Sequence, residues 1–248
     1  MLSLDNLTVR YPGEPEPVLS GVSLTVPAGR TVGVHAPSGT GKTTLLKTAA
    51  LLLRAERGTV QIEGTTARGT GYRVPRALRR KVGIVFQSPR ASTDGRLTLR
   101  QVIAAPLSHD RGLLRPRPDD RVEELAARVQ LSEDLLDRFP HQVSDGQLQR
   151  ACLARALALD PRVLICDEPT AMLDAPTTAV IMGLLRTHAQ SGAAILIASH
   201  DRALLDVTCD ETSSVGALRA SSAAQDQPAQ WETIPSASLI GVLPPTNS

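Results

Sequence analysis

Ala36-Pro37-Ser38-Gly39-Thr40-Gly41-Lys42-Thr43-Thr44 is the stretch whose residue types and order carry the clearest chemistry. Its glycines let successive backbone N–H groups turn toward an anion, and a following helix start adds its positive dipole end. Lys42 stands where an ammonium reaches terminal phosphates, and Thr43 where a hydroxyl holds Mg²⁺. The complete pattern opens with glycine, and this chain has Ala36 there. If the backbone needs positive φ, alanine costs roughly 1–2 kcal/mol. A Gly-rich turn capping an ordinary helix is the plain alternative. The order Gly-Lys-Thr-Thr favours a nucleotide triphosphate.

Three further groups share one kind of address, the end of an apolar run. Val163–Cys166 ends at Asp167 and Glu168. A carboxylate there can hold Mg²⁺ beside a phosphate loop, and the next can polarise a water for attack on the γ-phosphate. Two adjacent acids in a solvated turn would be the plain reading, but four apolar residues aim Asp167 at the sheet edge that the phosphate loop occupies. His200 follows Ala194–Ser199 and is assigned to the γ-phosphate or the attacking water. Gln87 follows Val82–Phe86 and can couple Mg²⁺ or water to the segment after it.

Positioning these groups requires a parallel sheet. Thr31–Val34 leads into the phosphate loop and the helix-compatible run Thr44–Leu53 leaves it. With Val82–Phe86, Val163–Cys166 and Ala194–Ala198, it gives apolar strands covered on both faces. Leu2–Arg10 and Val18–Val26 alternate as half-exposed antiparallel strands joined by the Pro12–Pro17 turn, and Gly58–Glu63 is another short strand. Between Phe86 and Val163 the periodicity turns helical, over Leu99–Leu107, Asp119–Leu131 and Gln147–Leu159, with Arg115-Pro-Arg-Pro parting the first two. The expected fold is α/β, a P-loop (RecA-like) core with an antiparallel edge and a helical subdomain inserted at about 88–159. Residues 1–216 form the expected ATPase domain. Residues 217–248, rich in Ala, Ser, Pro, Gln and Thr, read as a weakly ordered tail.

A 248-residue chain with formal net charge +2 has ample material for a core and no general pull toward nucleic acid or an acidic membrane surface. Aromatics are 2% of residues, so stacking platforms for single strands are lacking. Cys152, Cys166 and Cys209 are scattered without metal-ligand spacing and read as reduced, buried side chains of a cytosolic protein. No run approaches bilayer-spanning length and no signal peptide opens the chain, so a membrane link is expected to run through a partner.

From Leu2 to about Asp206 these ordered motifs resemble the ATP-binding subunits of ABC transporters. The resemblance implies that Tyr11 stacks on adenine, with a surface tyrosine at a strand end as the alternative. It implies that Gln87 belongs to the loop that senses the membrane subunit, that Glu168 is the general base and that His200 is the switch histidine. Ala171-Met-Leu-Asp174 resembles the loop that crosses the dimer. Val143-Ser144-Asp145-Gly146-Gln147 resembles the signature, ordinarily Leu-Ser-Gly-Gly-Gln. In that family two subunits pair head to tail, and Ser144, Gly146 and Gln147 would cover the γ-phosphate held by the other. Asp145 departs from glycine: a carboxylate about 4 Å from a phosphate costs several kcal/mol even at an effective dielectric near 20. The expectation is that it points away and caps the helix start.

Val85–Leu107, with Phe86-Gln-Ser-Pro, then Ser92-Thr-Asp-Gly-Arg96 and a closing Pro106-Leu107, is similar to the subfamily that powers uptake of dipeptides, oligopeptides and nickel, whose usual Ser-Leu-x-Pro-Arg makes Thr93 and Gly95 departures. The resemblance implies an ATPase using ATP and Mg²⁺, lying at the cytoplasmic face of the membrane through permease subunits. A second ABC ATPase subunit pairs with it as a homo- or heterodimer, the departures at Ala36, Val143 and Asp145 pointing to a related but different subunit, and an extracytoplasmic solute-binding protein acts indirectly. Nucleic acid is not an expected partner. Two alternatives stay open: a degenerate, non-hydrolysing partner of a heterodimer, and a soluble ABC-type ATPase acting on ribosomes or DNA.

Overall fold

The computed structural model describes residues 1–35, 39–108 and 118–218. Residues 36–38, the Arg115-Pro-Arg break and nearly all of the expected tail lie outside them.

Two sheets form. Strands β1 (Leu2–Val9), β2 (Leu19–Val26), β4 (Arg57–Ile62) and β5 (Thr65–Thr66) build an antiparallel sheet in the order β2-β1-β4-β5. Strands β3 (Thr31–His35), β6 (Val82–Val85), β7 (Val163–Asp167), β8 (Ala194–Ser199) and β9 (Glu211–Ser214) build a parallel sheet in the order β6-β7-β8-β3-β9. Between them come α1 (Lys42–Ala49), α2 (Arg76–Arg79), α3 (Leu99–Ser108), α4 (Pro118–Arg128), α5 (Asp145–Leu157), α6 (Ala175–Gln190) and α7 (Arg202–Thr208).

Alternation along the parallel strands divides the core in two. Val163, Ile165, Leu196 and Ala198 join α1 and the antiparallel sheet in one apolar cluster. Leu164, Cys166, Ile195 and Ile197 face the other way, into a cluster with α3, α4, α5 and α6. Every residue of β7 and β8 is buried, as both-face coverage requires.

The register sets the site. Val85 lies opposite Cys166, Asp167 opposite Ala198, and Ser199 opposite His35. The C-terminal tips of β6, β7, β8 and β3 therefore finish side by side at one sheet edge.

Candidate phosphate-binding and hydrolytic site

The loop after β3 enters α1 through Gly41, whose φ of +97° is left-handed. A Cβ there would stand 2.8 Å from Leu19 Cδ2, so conformation and space both require glycine. Gly41, at the N-cap, has no side chain with which to cap α1, so it leaves the first N–H groups of the helix to other partners. Lys42 opens the helix and extends its ammonium to Glu168, with Nζ 3.3 Å from Oε1.

Glu168 follows β7 in a left-handed backbone conformation, φ +50°, which is strained for a glutamate. Its N–H donates to the Ala198 carbonyl at 2.9 Å, tying the turn to β8. The carboxylate is tightly held: the His200 N–H donates to Oε1 at 2.8 Å, the His200 ring Nδ1 lies 3.0 Å from the same oxygen, and the Ser199 hydroxyl donates to Oε2 at 3.0 Å. Burial pushes this carboxyl upward, but the His200 and Ser199 donors and the Lys42 charge outweigh it and hold Glu168 below its ordinary range. Asp167 behaves oppositely. Burial and then the neighbouring Glu168 charge raise it, and the Thr43 hydroxyl, donating to Oδ2 at 3.3 Å, offsets this only in part.

These groups meet around a cavity of about 310 Å³, lined by Gly39, Gly41, Lys42, Thr43 and Thr44 from the loop and helix, with Gln87, Asp167, Glu168 and His200 from the other strand tips. Thr43 Oγ1 and Asp167 Oδ2 are hard oxygen donors of the kind Mg²⁺ takes alongside phosphate oxygens, so the residues present fit that ion. Gly39, at φ +80°, and the uncapped start of α1 fit a phosphate chain.

Other expected residues sit elsewhere. The Tyr11 hydroxyl lies 3.2 Å from Thr44 Oγ1, and Tyr11 does not line the cavity. Ala36, Pro37 and Ser38 lie outside the described residues. Ser144, Gly146 and Gln147 stand at the start of α5 and line none of this cavity. Ser144 and Gln147 form a reciprocal cap: the Gln147 N–H donates to Ser144 Oγ at 3.2 Å, and the Ser144 N–H to Gln147 Oε1 at 2.9 Å. The capping role expected of Asp145 thus falls to Ser144. The Asp145 carboxylate is instead 2.6 Å from Arg90 Nε. Gly146 abuts the loop before α6, where a Cβ would lie 2.6 Å from the Met172 carbonyl oxygen. Asp174, at the end of that loop, caps α6 by accepting from the Thr177 N–H at 2.9 Å.

Sequence reasoning missed Ser199 and Arg90. A hydroxyl immediately before His200 at a strand end was a readable signal for the first. Arg90 makes its contacts across 50 to 55 residues of chain, which no local pattern reveals.

With the geometry in place, comparison with known proteins is informative. The family described as "ABC transporter" matches residues 19–171. A probable peptide ABC transporter ATP-binding protein, y4tS, of Sinorhizobium fredii is 37% identical over 216 residues, which span 83% of this chain and 61% of that protein. The nickel import ATP-binding protein NikE of Brucella suis is 34% identical over 213 residues, 83% of this chain and 80% of that protein. A dimeric ATP-binding cassette, solved in a post-hydrolysis state with ADP and Pi bound, aligns with a TM-score of 0.74 at 31% identity, covering 82% of this chain and 90% of that one. Phosphate loop, paired acids and histidine at one sheet edge agree with these likenesses, and the chain belongs to the ABC transporter family.

Proposed function

We propose that this chain is the ATP-binding and hydrolysing subunit that energises an ABC importer, with peptides or nickel as the cargo class. The observation that carries the reading is the convergence of Lys42, Thr43, Asp167, Glu168 and His200 on one cavity. The names of the peptide and nickel relatives support the cargo class.

The chemistry follows from the contacts. Lys42 binds Glu168 through an ammonium that the terminal phosphates of ATP can also engage, so substrate binding draws it from carboxylate to phosphate. Thr43 and Asp167 would hold Mg²⁺, which would supply neutralisation of phosphate charge. Glu168, kept ionised and oriented by His200 and Ser199, accepts a proton from a water as that oxygen bonds to the γ-phosphorus. The bond to the ADP oxygen breaks, and ADP and Pi remain. His200 is half-turned to solvent, with its side chain 72% exposed, so it can reach the γ-phosphate side while retaining Glu168.

In this reading a second ABC subunit completes the pocket. The α5 start of one molecule, with Ser144, Gly146 and Gln147, faces the anion held by the other, using the Ser144 hydroxyl and the positive dipole end of the helix. The dimeric cassette similar to this chain supports that arrangement. Permease subunits dock near Gln87 and carry closure into the membrane, and an extracytoplasmic solute-binding protein selects cargo. Among the described residues no helix is long and apolar enough to cross a membrane, and in this reading the permease subunits hold the chain at the cytoplasmic face. The test is MgATP hydrolysis by the purified chain with and without its permease subunits. Stimulated turnover is expected, and absence of ATP binding in both settings overturns the proposal.

A further inference from the structure

The departure at Asp145 has a partner. Arg90 lies in the short 3₁₀ turn Arg90–Ser92, just after Gln87, and reaches the α5 start with its whole fork. Its Nε is 2.6 Å from Asp145 Oδ1, one terminal nitrogen donates to the Pro140 carbonyl at 2.9 Å, and the other to the Val143 carbonyl at 3.1 Å. The segment is anchored again further along α5, where Arg155 donates to the Ser92 carbonyl at 2.7 Å. An arginine fork fixed by two carbonyls has little freedom left, so the Asp145 carboxylate is drawn to one defined side of the helix start.

Stability does not account for this arrangement. Both side chains are about half exposed, at 48% and 46%, and ion pairs so placed add little to folding. Position does account for it. Asp145 occupies the first turn of a helix whose N–H groups and dipole suit an anion, and its own charge would oppose that anion. We propose that Arg90 is a positioning residue that neutralises Asp145 and holds it aside, so that the α5 start can meet the phosphate bound by the second subunit. The idea rests on the composite pocket of the preceding reading. It adds that the segment after Gln87 determines whether the signature is electrostatically competent.

A double-variant cycle in the full-length chain assembled with its permease subunits tests this, with MgATP turnover and salt dependence as readouts. R90A is expected to lower turnover about tenfold, the scale of coupling between contacting charges. The R90A/D145G double variant is expected to regain the level of D145G alone. R90K, which keeps the charge without the fork, should fall between R90A and the parent. The R90A defect should shrink as salt screens Asp145, and equilibrium ATP binding by isolated R90A should match the parent, since Arg90 lies off its own phosphate loop. A double variant as slow as R90A, an R90K equal to R90A, a D145G as slow as R90A, or a D145G manyfold faster than the parent each overturns the proposal. A parent complex that hydrolyses no ATP would instead sink the ATPase reading itself.

Discussion

Glu168 concentrates the chemistry at the residue scale, because four donors or charges converge on one carboxylate. As the base, it is expected to tolerate no isostere: E168Q should lose about 10²-fold or more in turnover while still binding ATP and accumulating as an ATP-bound pair, read by light scattering. Its titration gives a second expectation. The carboxyl is held below its ordinary value of 4.5, so the stabilisation from His200, Ser199 and Lys42 is complete above that value and disappears as pH falls through the lowered one. Urea midpoints measured without nucleotide should fall on acidification more in the parent than in E168Q. Equal losses would remove Glu168 as a contributor. Lys42, Asp167, Glu168 and His200 were legible because each stands next to an apolar run or a glycine. Ser199 was legible only by half: a hydroxyl beside His200 marks the strand end, but not the carboxylate it meets 31 residues away.

At the scale of elements, two glycines govern how pieces meet. G41A adds a Cβ 2.8 Å from Leu19 Cδ2 and forces alanine into φ +97°. The conformational cost alone is roughly 1–2 kcal/mol, and ATP affinity by calorimetry should fall about tenfold or more. G146A places a methyl 2.6 Å from the Met172 carbonyl oxygen, which must move the α5 start or the loop leading into α6. Overpacking of this kind costs about 1–3 kcal/mol. The sharper sign is turnover lost in the assembled complex while isolated ATP binding is kept, because in the proposed pairing this junction serves the second subunit's pocket. The buried strands were readable from their composition, to within a residue or two at each end. β9 was not: Glu211-Thr-Ser-Ser has no apolar alternation, and only backbone pairing along β3 makes it a strand. α6 also fell outside the expectations, its stripe being diluted by Pro176, three threonines and Gly183.

Across the whole molecule, the expected helical subdomain at about 88–159 is represented by α3, α4 and α5, and α5 also packs on β6. A change of angle in that lobe therefore bears on the strand that delivers Gln87. Close to the expected tail boundary at 217, Val215 and Leu218 follow β9 and are 2% and 7% exposed in the same apolar cluster as Leu45 and Leu46 of α1. Composition pointed to looseness from Ala217 onward, and the burial of Leu218 came from tertiary packing that composition does not encode. Shortening the polypeptide to Ser214 would unroof the apolar floor beneath the lysine-bearing helix. Nucleotide affinity and melting temperature should both drop in that shortened form, whereas a chain cut after Leu218 keeps the floor sealed. Val215 and Leu218 thus seat the stretch after β9 in the cluster that carries α1, so an edit made there would reach nucleotide affinity through packing rather than through any contact with phosphate.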